Sequence, residues 1–307
     1  MRTRSALARL QQSITLSLWS GAALWLAWHW RDAPLLAAAG FLALTMGYSL
    51  FLAIEFIALR WVGRDDPAGR ATWAELARAW LAETAAAPRV FYWRQPFRWR
   101  AVPDLLDVPL PSPARRGAVF IHGFVCNRGF WNPWLVRLRA LGHPFVAVNL
   151  EPVFGSIDAY VPIIEDAVER ITRATGLAPV LVCHSMGGLA ARAWVRATPA
   201  PGRRVHHIIT IGSPHHGTWL AQFSLLENGR QMRRRGSWIR ALERDADPAH
   251  NALFTCWYSN CDNIVFPVSA ATLAGADNRL VRGVAHVELG FHRRVMDDSL
   301  AKIAQMA

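Results

Sequence analysis

The chain has 307 residues, enough for one large domain plus an extra segment, and it is 52% hydrophobic with a formal net charge of +12. Lys302 is its only lysine, and the arginines are scattered in pairs such as Arg115-Arg116, Arg203-Arg204 and Arg293-Arg294 with no nucleic-acid fold around them. A basic balance is the usual pointer to nucleic acid, but this scatter argues against it as a partner.

In chain order, residues 14–30 (ITLSLWSGAALWLAWHW) carry no charge and are about as long as a bilayer requires. Arg31-Asp32-Ala33-Pro34 interrupts the run, and a second one, 35–59, carries only Glu55 near its end. Trp19, Trp25, Trp28, Trp30 and Trp61 fall largely where interfacial tryptophans are expected. Trp28-His29-Trp30 is the wrong ending for a cleaved signal peptide. The expectation is an anchor over 1–64 with two transmembrane helices, about 14–30 and 35–59. Arg2, Arg4 and Arg9 precede the first run, and Arg60, Arg64 and Arg70 follow the second, against Arg31 alone in the turn. That bias puts both ends, and the domain that follows, on the cytoplasmic side of the inner membrane.

Residues 65–116 read as an amphipathic and then extended connector. Over 72–86, Trp73, Leu76 and Trp80 share one helical face, with Arg78 and Glu83 elsewhere, which suits a membrane-surface helix or one packed on the domain. The stretch 89–100 (RVFYWRQPFRWR) interleaves arginine with aromatics, and an interfacial belt and cation–π packing explain it equally well. An extended lead-in over 103–113 follows.

From Gly117 the pattern is βαβ repeated, which implies a mostly parallel sheet flanked by helices. Strands are expected at 118–121, 145–150, 180–183, 208–211, 254–258 and 279–284, with helices at 131–141, 156–175, 189–197 and 291–306. Residues 219–251 have no place in the sheet and read as a helical cap insertion. There Trp219, Phe223, Leu225, Leu226 and Trp238 alternate with Arg230, Arg233, Arg234, Arg235 and Arg240, as a solvated basic surface or as a lid meeting anionic lipid. The four cysteines, Cys126, Cys183, Cys256 and Cys261, show no metal spacing, so no metal is expected. Free buried thiols are favoured over a Cys256–Cys261 pair.

The chemistry follows from position along the sheet. The strand at 180–183 meets His184-Ser185-Met186-Gly187-Gly188 and turns at once into a helix, the corner at which a nucleophilic serine is held. A serine hydroxyl needs a histidine to take its proton, and the histidine needs a carboxylate to hold its tautomer. Ser185, Asp262 and His286 occur in that order, each just after an expected strand. Met186 and Phe124 are the candidate oxyanion donors, supported by His122, Gly123, His184 and Gly187. Asp277 competes with Asp262, and His292 with His286, less well placed in each case. His215 and His216 read as structural.

Together the pieces IHGF (121–124), CHSMGG (183–188), GSPHHGT (212–218), CDNIVFP (261–267) and Val284-Ala285-His286 resemble the bacterial lipase/esterase branch of the α/β-hydrolases. The resemblance covers 117–307 and departs at Cys183, where the elbow's glycine is usual. It implies the α/β-hydrolase fold and a cofactor-free Ser-Asp-His esterase acting on acyl esters or lipids. A serine acyltransferase or thioesterase with the same triad, a peptidase or amidase on this fold, and a non-catalytic membrane adaptor are the rival readings.

Overall fold

Short apolar runs, each bounded by turn residues, build the sheet. In the computed structural model, which describes residues 5–107 and 115–304, the strands are β1 (Ala118–Ile121), β2 (Phe145–Ala147), β3 (Val180–His184), β4 (His207–Ile211), β5 (Phe254–Tyr258) and β6 (Asp277–Leu280). All pair in parallel, in the order β2-β1-β3-β4-β5-β6. The first four strands are buried throughout, which is why they read as continuous apolar runs. The edge strand β6 is polar, and Thr255 pairs with Asp277, so the strand lies earlier than the expected 279–284. An edge strand wet on one side leaves no apolar signature to read.

Helices cover both faces. Ile164, Val168 and Ile171, with Leu189 and Trp194, pack on one side of the sheet. Trp134, Leu135, Leu300 and Ile303 pack on the other. The supporting helices are α6 (Asn132–Ala140), α7 (Val161–Thr175), α8 (Met186–Ala197) and a closing helix, Arg293–Ala304. Within 219–251 lie short helices at Glu227–Gln231 and Ser237–Arg244.

The N-terminal part departs from expectation. It folds as α1 (Ala6–His29), α2 (Pro34–Met46) and α3 (Tyr48–Val62). Among the described residues no single helix is long and apolar enough to cross a membrane; α2 and α3 have the length and composition only together, bent by 52°. Two transmembrane helices at 14–30 and 35–59 are therefore not supported. The first run starts earlier, and its base is tied to the domain: Gln11 Nε2 donates to Gln95 Oε1 at 2.9 Å and Gln12 Nε2 to the Pro96 carbonyl at 2.7 Å. The second run breaks at Gly47, and its one charge turns inward, Glu55 Oε2 accepting from Asn263 Nδ2 at 2.7 Å.

The connector packs on the domain. Thr72 and Glu75 form a reciprocal cap for α4 (Trp73–Pro88), whose buried face is Leu76, Ala79 and Glu83, while Trp73 points out. The face expected from 72–86 is thus rotated, and Glu83 belongs to the inside. Pro88, which lacks an N–H, precedes a π-helical turn, Arg89–Arg94, and then α5 (Gln95–Phe97). Arg94 sits 4.8 Å over the Phe291 ring, so this arginine makes a cation–π contact with the domain. Arg2, Arg4, residues 108–113 of the lead-in and Met306 lie outside the described residues.

Candidate active site

The chain turns a sharp corner at Ser185. Strand β3 ends at His184, α8 begins at Met186, and between them Ser185 has φ 54° and ψ −127°. Such backbone costs a non-glycine residue about 1–3 kcal/mol and persists only where its surroundings impose it. Here they do: a Cβ on Gly187 would stand 2.4 Å from the Ile121 carbonyl, and one on Gly123 would stand 2.8 Å from Ser185 Cβ. Cys183, which replaces the usual glycine, is accommodated because its side chain packs in the core on the α7 and α8 side.

Ser185 and His286 share a cavity of about 190 Å³. His286 opens a short helix, His286–Leu289, and its Nδ1 lies 2.9 Å from Asp262 Oδ2. Asp262 Oδ1 is occupied by the amides of Ile264 and Val265, at 3.0 and 2.7 Å, so the carboxylate is fixed in orientation. Burial alone would push the His286 imidazolium down. The charge of Asp262 and its hydrogen bond, reinforced by Glu83 and Glu55, outweigh that, and the pKa stands above the ordinary histidine value.

Phe124 lines the same cavity, and the next residue, Val125, has φ 52°, a left-handed backbone that a β-branched residue adopts only under constraint. The Met186 N–H is the first of α8, where helical amides have no intrahelical partner. His122 supports this loop from below. Its Nε2 accepts from the Leu150 amide at 3.0 Å, which leaves the proton on Nδ1, 2.9 Å from the Gly123 carbonyl. Burial holds it to about 4, so it is neutral and outside proton transfer. His184 stacks on Phe130 with ring centroids 4.4 Å apart, and its Nε2 lies 3.2 Å from the His286 carbonyl. Burial pushes its pKa well down.

The competing residues lie elsewhere. Asp277 pairs with Arg279 at 2.7 Å on the exposed edge strand. His292 precedes the closing helix rather than lying inside it, and lines a different cavity. His215 is buried against Thr210 Oγ1 at 3.0 Å, and His216 pairs with Glu243. All four cysteines are free and buried, Cys256 and Cys261 included. Among the described residues no group of three His, Cys, Asp or Glu side chains is disposed to hold a metal ion.

Three residues at the site were not foreseen: Glu55, Glu83 and Asn263, all lining the cavity. Glu55 did carry a signal, as the single charge in a long apolar run; Glu83 carried none. The walls come from Leu52, Ala87 and Phe91, on α3, α4 and the π-turn, and no lining residue belongs to 219–251. The insertion expected to cap the site does not border it.

A parallel sheet of this order, with a strained serine at its central strand-to-helix corner, defines an α/β hydrolase. The Alpha/beta hydrolase family matches over residues 118–299, more than half of the chain, and the chain belongs to that family. No curated protein matches in sequence. Among solved structures it is similar to the mature lipase BlEst2 of Bacillus licheniformis, with TM-score 0.56 and 17% identity, over 64% of this chain and 96% of that one. It is also similar to lipase B of Aspergillus fumigatus, with TM-score 0.57 and 16% identity, over 68% of this chain and 57% of that one. At such identity these likenesses speak to the fold alone.

Proposed function

We propose that the chain is a membrane-associated serine hydrolase that cleaves carboxylic esters, lipid-like acyl esters among them, with Ser185 as nucleophile, His286 as base and Asp262 as its orienting acid. The observation that carries this reading is the 2.9 Å contact from His286 Nδ1 to Asp262 Oδ2 in the cavity that also holds Ser185. With Nδ1–H directed at Asp262, Nε2 is left free to take the serine proton. Ser185 Oγ then attacks the acyl carbon, and the oxyanion forms against the amides of Phe124 and Met186. His286 returns the proton to the departing alcohol, leaving an acyl-enzyme that water, activated by the same imidazole, hydrolyses.

Apolar lining by Leu52, Phe91, Val125 and Ile264 favours an acyl chain over a polar substituent. Membrane association is supported by the exposed apolar side chains of α1 to α3, among them Trp28, Leu35, Phe51 and Ile54. We place the catalytic domain at the cytoplasmic face of the inner membrane on the arginine bias of the N-terminal flanks.

A fluorophosphonate probe and a p-nitrophenyl ester test the reading together. The wild type should be labelled and active. Ser185→Ala should lose labelling and fall about a million-fold in kcat, the figure for a triad acting as a unit. Turnover by a clean Ser185→Ala preparation would reject the nucleophile.

A further inference from the structure

Two buried carboxylates from the N-terminal helices converge on the loop that carries His286. Glu83, on α4, is 1% exposed, and its two oxygens each accept a backbone amide: Oε1 from Val287 at 2.8 Å and Oε2 from Glu288 at 3.0 Å. These are the two residues that follow the catalytic histidine. Glu55, on α3, is 5% exposed and accepts from Asn263 Nδ2 at 2.7 Å, and Asn263 Oδ1 in turn accepts from the His286 backbone amide at 3.2 Å. Asn263 directly follows the triad acid. The two contacts thus grip His286 from its own amide and from the two amides after it. They do so across more than 200 residues of sequence.

A carboxylate taken out of water is costly unless its hydrogen bonds replace the lost hydration. An apolar side chain would fill either place without that cost, and a helix cap alone needs no residue so distant. Burial raises the Glu83 carboxyl to about 7, while the amides of Val287 and Glu288 and the nearby His286 pull it back down. The groups facing it are His286, Asp262 and Glu55.

Building on the serine-hydrolase reading above, we propose that Glu83 and Glu55 are positioning residues, through which α3 and α4 fix the His286 loop in its reactive place. The N-terminal helices are then part of the catalytic machinery rather than only an attachment. Neither carboxylate transfers a proton to substrate. Each acts through the backbone that carries His286, so a loosened loop should cost turnover more than binding.

The test uses the full chain in detergent, a p-nitrophenyl ester and a fluorophosphonate. Glu83→Gln keeps one acceptor and turns an amide N–H₂ toward the other backbone N–H. A displaced imidazole should then cost about a hundredfold in kcat, with KM within about twofold and phosphonate labelling slowed in step. Glu55→Leu strands Asn263 Nδ2 and should cost about tenfold in kcat, and Glu55→Gln, whose amide oxygen still accepts, should recover part of that loss. Wild-type kcat in Glu83→Gln or Glu55→Leu, or a loss confined to KM, overturns the inference. If Glu83→Gln gives no cooperative melting transition, the comparison of Glu55→Leu with Glu55→Gln decides by itself. A wild type that neither labels nor turns over rejects the hydrolase reading, and this inference with it. That result is distinct from an active wild type whose variants are unimpaired.

Discussion

Asp262 presents only one oxygen to His286, because the amides of Ile264 and Val265 hold the other. An asparagine there must either turn its N–H₂ toward those amides or point it at Nδ1, and the second choice puts the imidazole proton on the wrong nitrogen. Asp262→Asn should therefore cost about ten-thousand-fold in kcat, while Asp277→Asn, at an exposed pair with Arg279, should cost little. The opposite ranking in a simple activity assay would move the acid to Asp277. The pH profile carries a second expectation. The proposed base can work only as neutral imidazole, and the partners of His286 hold its pKa above the ordinary value of about 6.5. Activity should be full above the raised pKa and fall as pH drops through it, so the acid limb of kcat/KM should lie on the alkaline side of that value. Asp262→Asn removes the main stabilising charge, and in its residual activity the limb should move to lower pH. A limb that stays in place would mean that another group sets it.

At the scale of elements, the basic insertion separates into two kinds of arginine. Arg233 is structural: its Nη2 donates to the Ser224 carbonyl at 2.7 Å and its Nε to the Ala221 carbonyl at 3.3 Å. Arg234, Arg235 and Arg240 line a groove of about 560 Å³ with His216 and Glu243. Arg233→Gln should cost about 1–3 kcal/mol, seen as a lower Tm. Replacing Arg234, Arg235 and Arg240 with glutamine should leave Tm alone and weaken binding to anionic vesicles at low salt, by about 1 kcal/mol for each arginine near the surface. Equal Tm losses in both sets would make the whole cluster structural. Such distinctions show where sequence reading stops. The strands at 118–121 and 254–258 were legible to the residue, because a strand buried on both faces is a bare apolar run. The serine corner and the loop holding Asp262 were legible for the same reason, since each follows such a strand, whereas His286 follows the polar edge strand β6 and was legible only by its order after Ser185 and Asp262. The N-terminal helices were misplaced because a helix exposing apolar side chains on one side and packing on a domain with the other has the composition of a bilayer span. Only the inward turn of Gln11, Gln12 and Glu55 separates the two, and their partners lie far along the chain. Trp73 and Trp80 dominate the pattern over 72–86, and the face they define leaves Glu83 outside.

On the scale of the whole molecule, α3 links the surface to the chemistry because its two sides face different surroundings. Leu52 and Glu55 line the cavity that holds Ser185 and His286, and Phe56 and Leu59 are buried in a cluster with Leu76 and Phe266. On the other side Phe51, Ile54 and Ile57 are at least 60% exposed. If that outer side rests in lipid, an acyl ester need cross only the margin of α3 to reach Ser185, without passing through bulk water. Fully burying each such side chain is worth about 1.5–3 kcal/mol, so three of them strengthen a surface attachment by a margin that vesicle flotation can read. Phe51→Asn, Ile54→Asn and Ile57→Asn combined should therefore cut co-flotation with phosphatidylcholine vesicles by about tenfold or more. Turnover of a long-chain ester dissolved in those vesicles should fall in proportion. Hydrolysis of p-nitrophenyl acetate in solution should be unaffected, because none of the three residues lines the cavity. A fall on both substrates would mean that the outer side of α3 is needed for folding. If flotation and vesicle turnover are both unchanged, the membrane contact lies on other helices, and the exposed face of α3 is not the route by which substrate arrives.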